Sequence, residues 1–263
     1  MSPNAKGALL ALLAFGIFST HDVVVKILGG VYSPFQIVFF SVLLSFPLAT
    51  VMMMRDATPG TLVPRHPWWL ALRTGAAVIT GVSVFYAFSV LPLAQVYAIL
   101  FAAPLLITIL AIPILGETVR LRRWMAVIVG LVGVLVVLRP GETEFSLGHL
   151  AALAGAIGGA LASIIVRKIG QEEKPVVMLL YPMMANFVLM AFALPFVYVP
   201  MPIEHLGLFA VIATFAWFAS RLVIAAYQSG EAAIIAPMQY SQIIWATIFG
   251  YVFFGETIDQ PTA

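Results

Sequence analysis

The stretch FYAFSVLPLAQVYAILFAAPLLITILAIPILGET, residues 85–118, recurs in altered form as IAAYQSGEAAIIAPMQYSQIIWATIFGYVFFGET, residues 224–257. The two segments align without gaps at an offset of 139 positions, so the GET at 116–118 lies over the GET at 255–257. Self-similarity over such a distance indicates that the fold contains two related halves.

The composition is that of an integral membrane protein. Of the 263 residues, 62% are hydrophobic and 9% are charged, with a mean hydropathy of +1.07, whereas soluble domains carry about 25% charged residues. The net charge is +2, and the sequence has no basic tail that would indicate a nucleic-acid partner. The chain has no cysteine, which excludes disulfides, thiol nucleophiles and cysteine metal ligands.

Charges, glycines and prolines divide the apolar sequence into segments that are long enough to cross a hydrocarbon core of roughly 30 Å. Helices must form them, because lipid offers backbone groups no hydrogen-bond partners and no segment alternates like a barrel strand. Nine spans are predicted: 7–29, 34–54, 68–90, 93–115, 121–138, 147–167, 175–199, 206–229 and 232–254.

The repeat also predicts the topology. An offset of about 140 residues contains five spans, and because five is odd, the second half enters the membrane from the other side. We therefore predict an all-α polytopic membrane protein of two inverted five-helix repeats, residues 1–140 and 141–263. The second repeat ends at Ala263, level with Trp124 of the first, so we expect this chain to lack the tenth helix that the repeat predicts. Either the chain is truncated or the fold tolerates the loss.

The distribution of basic residues predicts the orientation, since cytoplasmic loops carry the excess of Lys and Arg. Two basic residues, Lys26 and Arg139, lie on the side opposite the N-terminus, and Arg221 lies within a span. The other ten lie on the N-terminal side: Lys6, Arg55, Arg65, Arg73, Arg120, Arg122, Arg123, Arg167, Lys168 and Lys174. We expect a multi-pass protein of the inner membrane with a cytoplasmic N-terminus.

These features resemble the EamA-type branch of the drug/metabolite transporter superfamily. The resemblance rests on the inverted repeats, a GE after each fourth span, LPLAQVYAILFAAPLL, APMQYSQIIWATIFGYVFFGE, and HDVVVKIL in the first span. It implies a transporter of ten helices. Members of this family move amino acids or their derivatives, vitamins such as riboflavin, or S-adenosylmethionine through a central cavity. One departure is Ser41 in VFFSVLL, where the family usually has an arginine.

The first span contains three ionisable residues, His21, Asp22 and Lys26. Asp22 and Lys26 are four positions apart and share a helix face. Lys26 then either extends to the interface with Asp22 as its counter-charge, or the group binds cargo or a proton. At an offset of 142 Lys168 matches Lys26, whereas the positions that match His21 and Asp22 are uncharged. Because histidine changes charge near neutral pH, His21 with Asp22 is the candidate for proton coupling.

Two arginines receive different interpretations. Arg221 lies roughly 13 Å from the nearer end of its span, too deep to reach the interface easily. It either binds a carboxylate or phosphate of the cargo, or pairs internally with a backbone carbonyl or an acid such as Glu231. Arg73 follows Trp69 by four positions and is expected to anchor its helix at the cytoplasmic interface.

Further candidates lie on the third, fourth and ninth predicted spans. Gln239 and Gln242 are three positions apart and are predicted to share a face towards the cavity or another helix. Tyr86 and Tyr97 line an aromatic cavity or pack in the core. The predicted set of substrate-binding or coupling residues is His21, Asp22, Lys26, Tyr86, Tyr97, Arg221, Gln239 and Gln242.

The sequence predicts a secondary-active transporter that moves a small metabolite by alternating access. The motifs of P-loop ATPases, zinc proteases and serine hydrolases are absent from the sequence, and no cofactor or metal is expected. Two alternatives stay open. One is an intramembrane enzyme built on His21 and Asp22, and the other is a truncated fragment that does not transport. The expected partners are a small-molecule substrate, the lipid bilayer and, for coupling, a proton.

Overall fold

The computed structural model describes residues 2–55, 61–117 and 146–255, together with positions 124, 125, 128, 129 and 132. Within these ranges the chain is helical and contains no strand. The helices are α1 Pro3–Gly29, α2 Pro34–Arg55, α3 Pro67–Val90, α4 Leu93–Leu100, α5 Ala102–Leu115, α6 Leu147–Ile169, α7 Pro175–Val197, α8 Ile203–Ser229, α9 Ala232–Ile235 and α10 Gln242–Phe254, with a 3-10 segment at Ala236–Ser241. Most of the predicted fifth span lies outside the described residues.

The predicted polytopic helical fold is confirmed. In the described part of the chain, seven helical segments are long and apolar enough to cross a membrane. The predicted fourth span, 93–115, is divided at Phe101 into α4 and α5. The predicted ninth span, 232–254, is divided more deeply, since the 3-10 segment separates α9 from α10. Pro237 lies in that segment, and its missing N–H removes one α-helical hydrogen bond there.

Prolines and glycines mark the helix ends. Four helices, α1, α2, α3 and α7, begin at a proline, which loses no hydrogen bond in the first turn. Helices α5 and α10 end at Gly116 and Gly255, whose φ angles are 70° and 62°. Only glycine adopts this left-handed conformation without strain. The two glycines are 139 positions apart, so the repeated GET motif ends equivalent helices in the same way.

The tightest helix packing joins the two halves. Helix α1 packs along α8, and α3 packs along α6. A Cβ atom on Gly158 of α6 would lie 2.5 Å from Thr80 Oγ1 and 2.8 Å from the backbone oxygen of Ala76, both on α3. The absence of a side chain at Gly158 therefore permits the close approach of the two backbones that membrane helices use for packing.

Contacts between loops and helix starts join the halves at both faces of the bundle. At the face where α1 and α3 begin, here the N-terminal face, the His66 N–H donates to Glu173 Oε1 at 2.6 Å, and His66 Nε2 lies 2.7 Å from Glu172 Oε2. At the opposite face, His205 Nδ1 lies 2.6 Å from the Tyr32 hydroxyl. His66 and His205 are 139 positions apart, so each half contributes one equivalent histidine contact.

Candidate functional site

A cavity of about 390 Å³ lies between the two halves. Residues of α1, α3, α4, α5, α6, α8, the 3-10 segment and α10 line it, and most of them are apolar or small. Its polar lining consists of His21, Asp22, Arg73, Thr80, Ser163, Ser220, Tyr227, Gln239 and Gln242. The cavity is thus a largely apolar chamber with a few polar groups, as is typical of small-molecule sites.

Asp22 is the centre of a buried hydrogen-bond network. Its Oδ1 atom lies 2.7 Å from His21 Nδ1, and its Oδ2 atom accepts a 2.6 Å hydrogen bond from the Tyr97 hydroxyl. Only 7% of Asp22 is exposed, 3% of His21 and 2% of Tyr97. Both oxygens of the carboxylate are therefore engaged, and α1 brings His21 and Asp22 to the hydroxyl that α4 supplies.

The network assigns the proton on His21. A carboxylate only accepts hydrogen bonds, so the Nδ1 atom that faces Asp22 carries the proton. In a neutral ring Nε2 is then an acceptor, and it is buried without a partner in the described part of the chain. Phe18 and Phe85 hold the ring from two sides, at centroid distances of 6.0 and 5.7 Å. This geometry leaves His21 Nε2 free to accept a hydrogen bond from a donor group of a bound solute.

Lys26 lies outside the cavity lining. It is one helical turn from Asp22 towards the opposite face, where its Nζ atom donates to the Leu91 carbonyl at 2.8 Å and lies 5.2 Å from the centroid of the Phe254 ring. The matching lysine of the second half is placed similarly. Lys168 donates to the Ile114 carbonyl at 2.6 Å and lies 4.9 Å from the Trp69 ring centroid. Both lysines thus satisfy a carbonyl at or near a helix end.

Gln239 and Gln242 both line the cavity. Gln239 belongs to the 3-10 segment and Gln242 begins α10, with 5% of Gln242 exposed. In a 3-10 helix, side chains three positions apart lie directly above one another. This local geometry gives the two amides the common face that their spacing predicts.

Arg221 and Tyr86 are not brought to the cavity. Arg221 is exposed, and its guanidinium lies 5.4 Å from the Trp217 ring centroid. Its neighbour Ser220 lines the cavity, and a step of about 100° per residue turns Arg221 away from it. Tyr86 is half-buried and does not belong to the cavity lining. The expected contact between Arg221 and cargo has no geometric support.

Arg73 lies in the cavity wall, although the sequence predicts an anchor at the membrane interface. It was expected at the interface, but it lines the cavity with 8% exposed. Its Nη1 atom donates to the backbone oxygen of Met178 on α7. Pro182 follows Met178 by four positions and has no N–H, so this carbonyl lacks its helical donor. Pro182 in the sequence indicates that the Met178 carbonyl needs another donor, but which residue supplies it depends on tertiary packing.

The described residues contain no group of three or more His, Asp or Glu side chains that could hold a metal ion.

The EamA-like transporter family matches the chain over residues 5–139 and 146–262. Three curated relatives are transporters. The S-adenosylmethionine uptake transporter of Rickettsia bellii is 27% identical over 255 residues, covering 95% of this chain and 86% of the relative.

The pseudopaline exporter CntI of Pseudomonas aeruginosa is 26% identical over 97% of this chain and 90% of its own length. The riboflavin transporter of Vibrio cholerae is 28% identical over 71% of this chain and 63% of its own length. A solved crystal structure superposes with a TM-score of 0.76, covering 98% of this chain and 91% of its own. At 20% sequence identity that likeness concerns the fold alone.

Proposed function

The chain belongs to the EamA-like transporter family, and we propose that it is a secondary-active carrier working by alternating access. Its two halves, residues 1–140 and 141–263, rock around the central cavity and expose it to one side of the membrane at a time. The observation that carries this proposal is the cavity itself, which both halves line and into which the His21–Asp22 pair is built.

The proposed cargo is a small metabolite such as an amino-acid derivative or a vitamin-like or nucleoside-like solute. The cavity volume of about 390 Å³ falls within the range of roughly 300–1,000 Å³ that small-molecule sites occupy. The relatives named above carry S-adenosylmethionine, pseudopaline and riboflavin. All three are small metabolites, which supports the proposed class of cargo.

His21 and Asp22 are the proposed coupling site. His21 Nε2 takes up a proton when the cavity is open, and Asp22 stabilises the imidazolium through the hydrogen bond to Nδ1. Tyr97 orients the carboxylate by donating to its second oxygen. Charge on this pair then differs between the loaded and unloaded carrier, which gives a pH gradient a means of driving the cycle. Gln239 and Gln242 contact the polar groups of the cargo.

The proposed location is the inner membrane, with the N-terminal face in the cytoplasm. The positive-inside rule supports this orientation, since ten of the 13 Lys and Arg residues belong to that side. The histidine contacts of His66 and His205 would then lie on the cytoplasmic and outer faces, respectively.

Flux in proteoliposomes tests the proposal. Vesicles containing the purified chain are given labelled S-adenosylmethionine or riboflavin, with and without an imposed pH gradient. We expect saturable uptake of at least one solute that the gradient alters severalfold, and loss of that response in Asp22→Asn. Arg221→Gln, an exposed arginine outside the cavity, is the matched control. Release of a chemically altered solute would support the enzyme alternative, and a chain without flux would contradict the carrier proposal.

A further inference from the structure

We propose that Arg73 forms an anion-binding subsite at the N-terminal end of the cavity, well separated from Asp22 at the other end. The cargo would then be an elongated solute with a carboxylate or phosphate at one end and a cationic or hydrogen-bond-donating group at the other. This inference rests on the proposed function in one respect, because it treats the cavity as the binding site of the cargo.

The first observation is a buried guanidinium without a counter-charge. Arg73 is 8% exposed, and among the described residues no carboxylate forms an ion pair with it. Its Nε atom is buried there without a hydrogen-bond partner. Arginine has five N–H donors, and the Met178 carbonyl occupies one of them. A buried charge at membrane depth is costly unless it is paired, so an anionic ligand would complete this site.

The second observation is the distance between the charged ends. Helices α1 and α3 run side by side in the same direction, and a Cβ on Gly29 would lie 2.9 Å from Ser89 Cβ, which makes these residues level. Asp22 is seven positions before Gly29, and Arg73 is sixteen before Ser89. At 1.5 Å per residue the two charged residues are roughly 14 Å apart along the axes. This offset favours a cargo longer than a single α-amino acid.

The wall between the two ends is mostly apolar. Its apolar lining residues include Phe15, Phe18, Ala77, Leu100 and Ile107. Such a surface favours a ligand whose middle part is uncharged, because a charged group there would lose water without gaining a counter-charge. The cavity therefore has a charged side chain at each end and a mostly apolar section between them, and its best ligand would share that pattern.

Arg73 also has a structural task, which the test must separate from binding. Its bond to the Met178 carbonyl replaces the helical donor that Pro182 lacks. Substitution of Pro182 by alanine would return an N–H to α7 and free Arg73 from this task. The double variant Arg73→Gln with Pro182→Ala therefore keeps the fold while removing the guanidinium, and Pro182→Ala alone is its reference.

Linear probes of one length and different end groups test the subsite. The purified full chain in nanodiscs is titrated with 11-aminoundecanoate, 1,11-diaminoundecane and undecanedioate, and with the short 6-aminohexanoate. We expect 11-aminoundecanoate to bind about tenfold more tightly than the diamine, because a hydrogen-bonded charge pair contributes on that scale. It should also bind more tightly than 6-aminohexanoate, which is too short to reach both ends.

In Arg73→Gln/Pro182→Ala, the preference for 11-aminoundecanoate over the diamine should fall to about twofold or less, whereas the affinity for the diamine should be no lower than in Pro182→Ala, because removal of the guanidinium also removes its repulsion of an ammonium group. Arg73→Lys should keep part of the preference, since it keeps the charge. Equal binding of all three long probes to the wild-type chain, or an unchanged preference without Arg73, would overturn the subsite. These binding results do not depend on flux. A chain that binds as expected but moves no solute would contradict the proposed function alone.

Discussion

The Tyr240 hydroxyl lies 3.5 Å from the Phe101 carbonyl oxygen, and the two rings meet edge to face at a centroid distance of 5.3 Å. The two residues are 139 positions apart, which is the offset between the repeats. Each lies where the broken helix of its half is interrupted. Equivalent positions of two symmetry-related halves touch only near the axis that relates them, so this contact marks the centre of the bundle.

This contact leads to the first prediction. Phe101→Ala removes one of the two rings and leaves a void at the axis, and we expect it to destabilise the chain by about 3 kcal/mol. Tyr240→Phe keeps the ring contact and removes only a long hydrogen bond, so its stability should stay within about 0.5 kcal/mol of wild type. Unfolding in detergent, followed by far-UV circular dichroism, measures both. Equal losses in the two variants would show that the rings do not carry the contact.

The second prediction concerns the buried carboxylate. Asp22→Asn replaces an acceptor of two hydrogen bonds with a neutral amide and removes the charge that stabilises an imidazolium at His21. We expect its solute flux to fall at least tenfold and its response to a pH gradient to disappear.

Tyr97→Phe is the matched variant, because it removes one hydrogen bond to Asp22 and leaves the carboxylate in place. We expect it to keep the pH response at a lower rate. Initial rates in proteoliposomes at several external pH values distinguish the two effects. A normal pH response in Asp22→Asn would exclude this carboxylate from coupling.

The third prediction tests the close approach of α3 and α6. Gly158→Ala would place a methyl group 2.8 Å from the backbone oxygen of Ala76, so one helix must shift. We expect a loss of about 1–3 kcal/mol, the usual effect of overpacking. At Gly159, the nearest atom to an added Cβ is Thr80 Cγ2 at 3.8 Å, an ordinary contact. Gly159→Ala should therefore retain the stability of wild type, and a similar loss in both variants would contradict close packing as the cause.

How far the sequence predicts the site is clear from the two arginines. The apolar segments and the 139-residue repeat predicted the helices and their inversion, because lipid permits few alternatives. The sequence also shows how far along its helix a residue lies. It does not show which side of the helix faces the cavity. Arg221 is deep and turns away from the cavity, whereas Arg73 is near a helix end and turns towards it. Rotation depends on packing between helices that are far apart in sequence.

The partners of the buried polar groups were hidden for the same reason. Asp22 and Tyr97 were both candidates, but their hydrogen bond joins residues 75 positions apart. The donor to the Met178 carbonyl lies 105 positions away. The repeat did identify which groups belong to one half alone, since the second half has uncharged residues where the first has His21 and Asp22. That asymmetry remains the best signal for the site that the sequence contains.

The most direct test of alternating access is the accessibility of the cavity from each side of the membrane. The chain has no natural cysteine, so Ser163→Cys, which lines the cavity, can be labelled with an impermeant maleimide added to either face. Paired cysteines at Tyr32 and His205 are first joined by a short bis-maleimide, since side chains that meet at their tips are too far apart for a disulfide. A second variant joins His66 and Glu172 in the same way. We predict that closing the first pair confines labelling to the N-terminal face and closing the second confines it to the opposite face. Labelling from both faces in each locked variant would contradict the account.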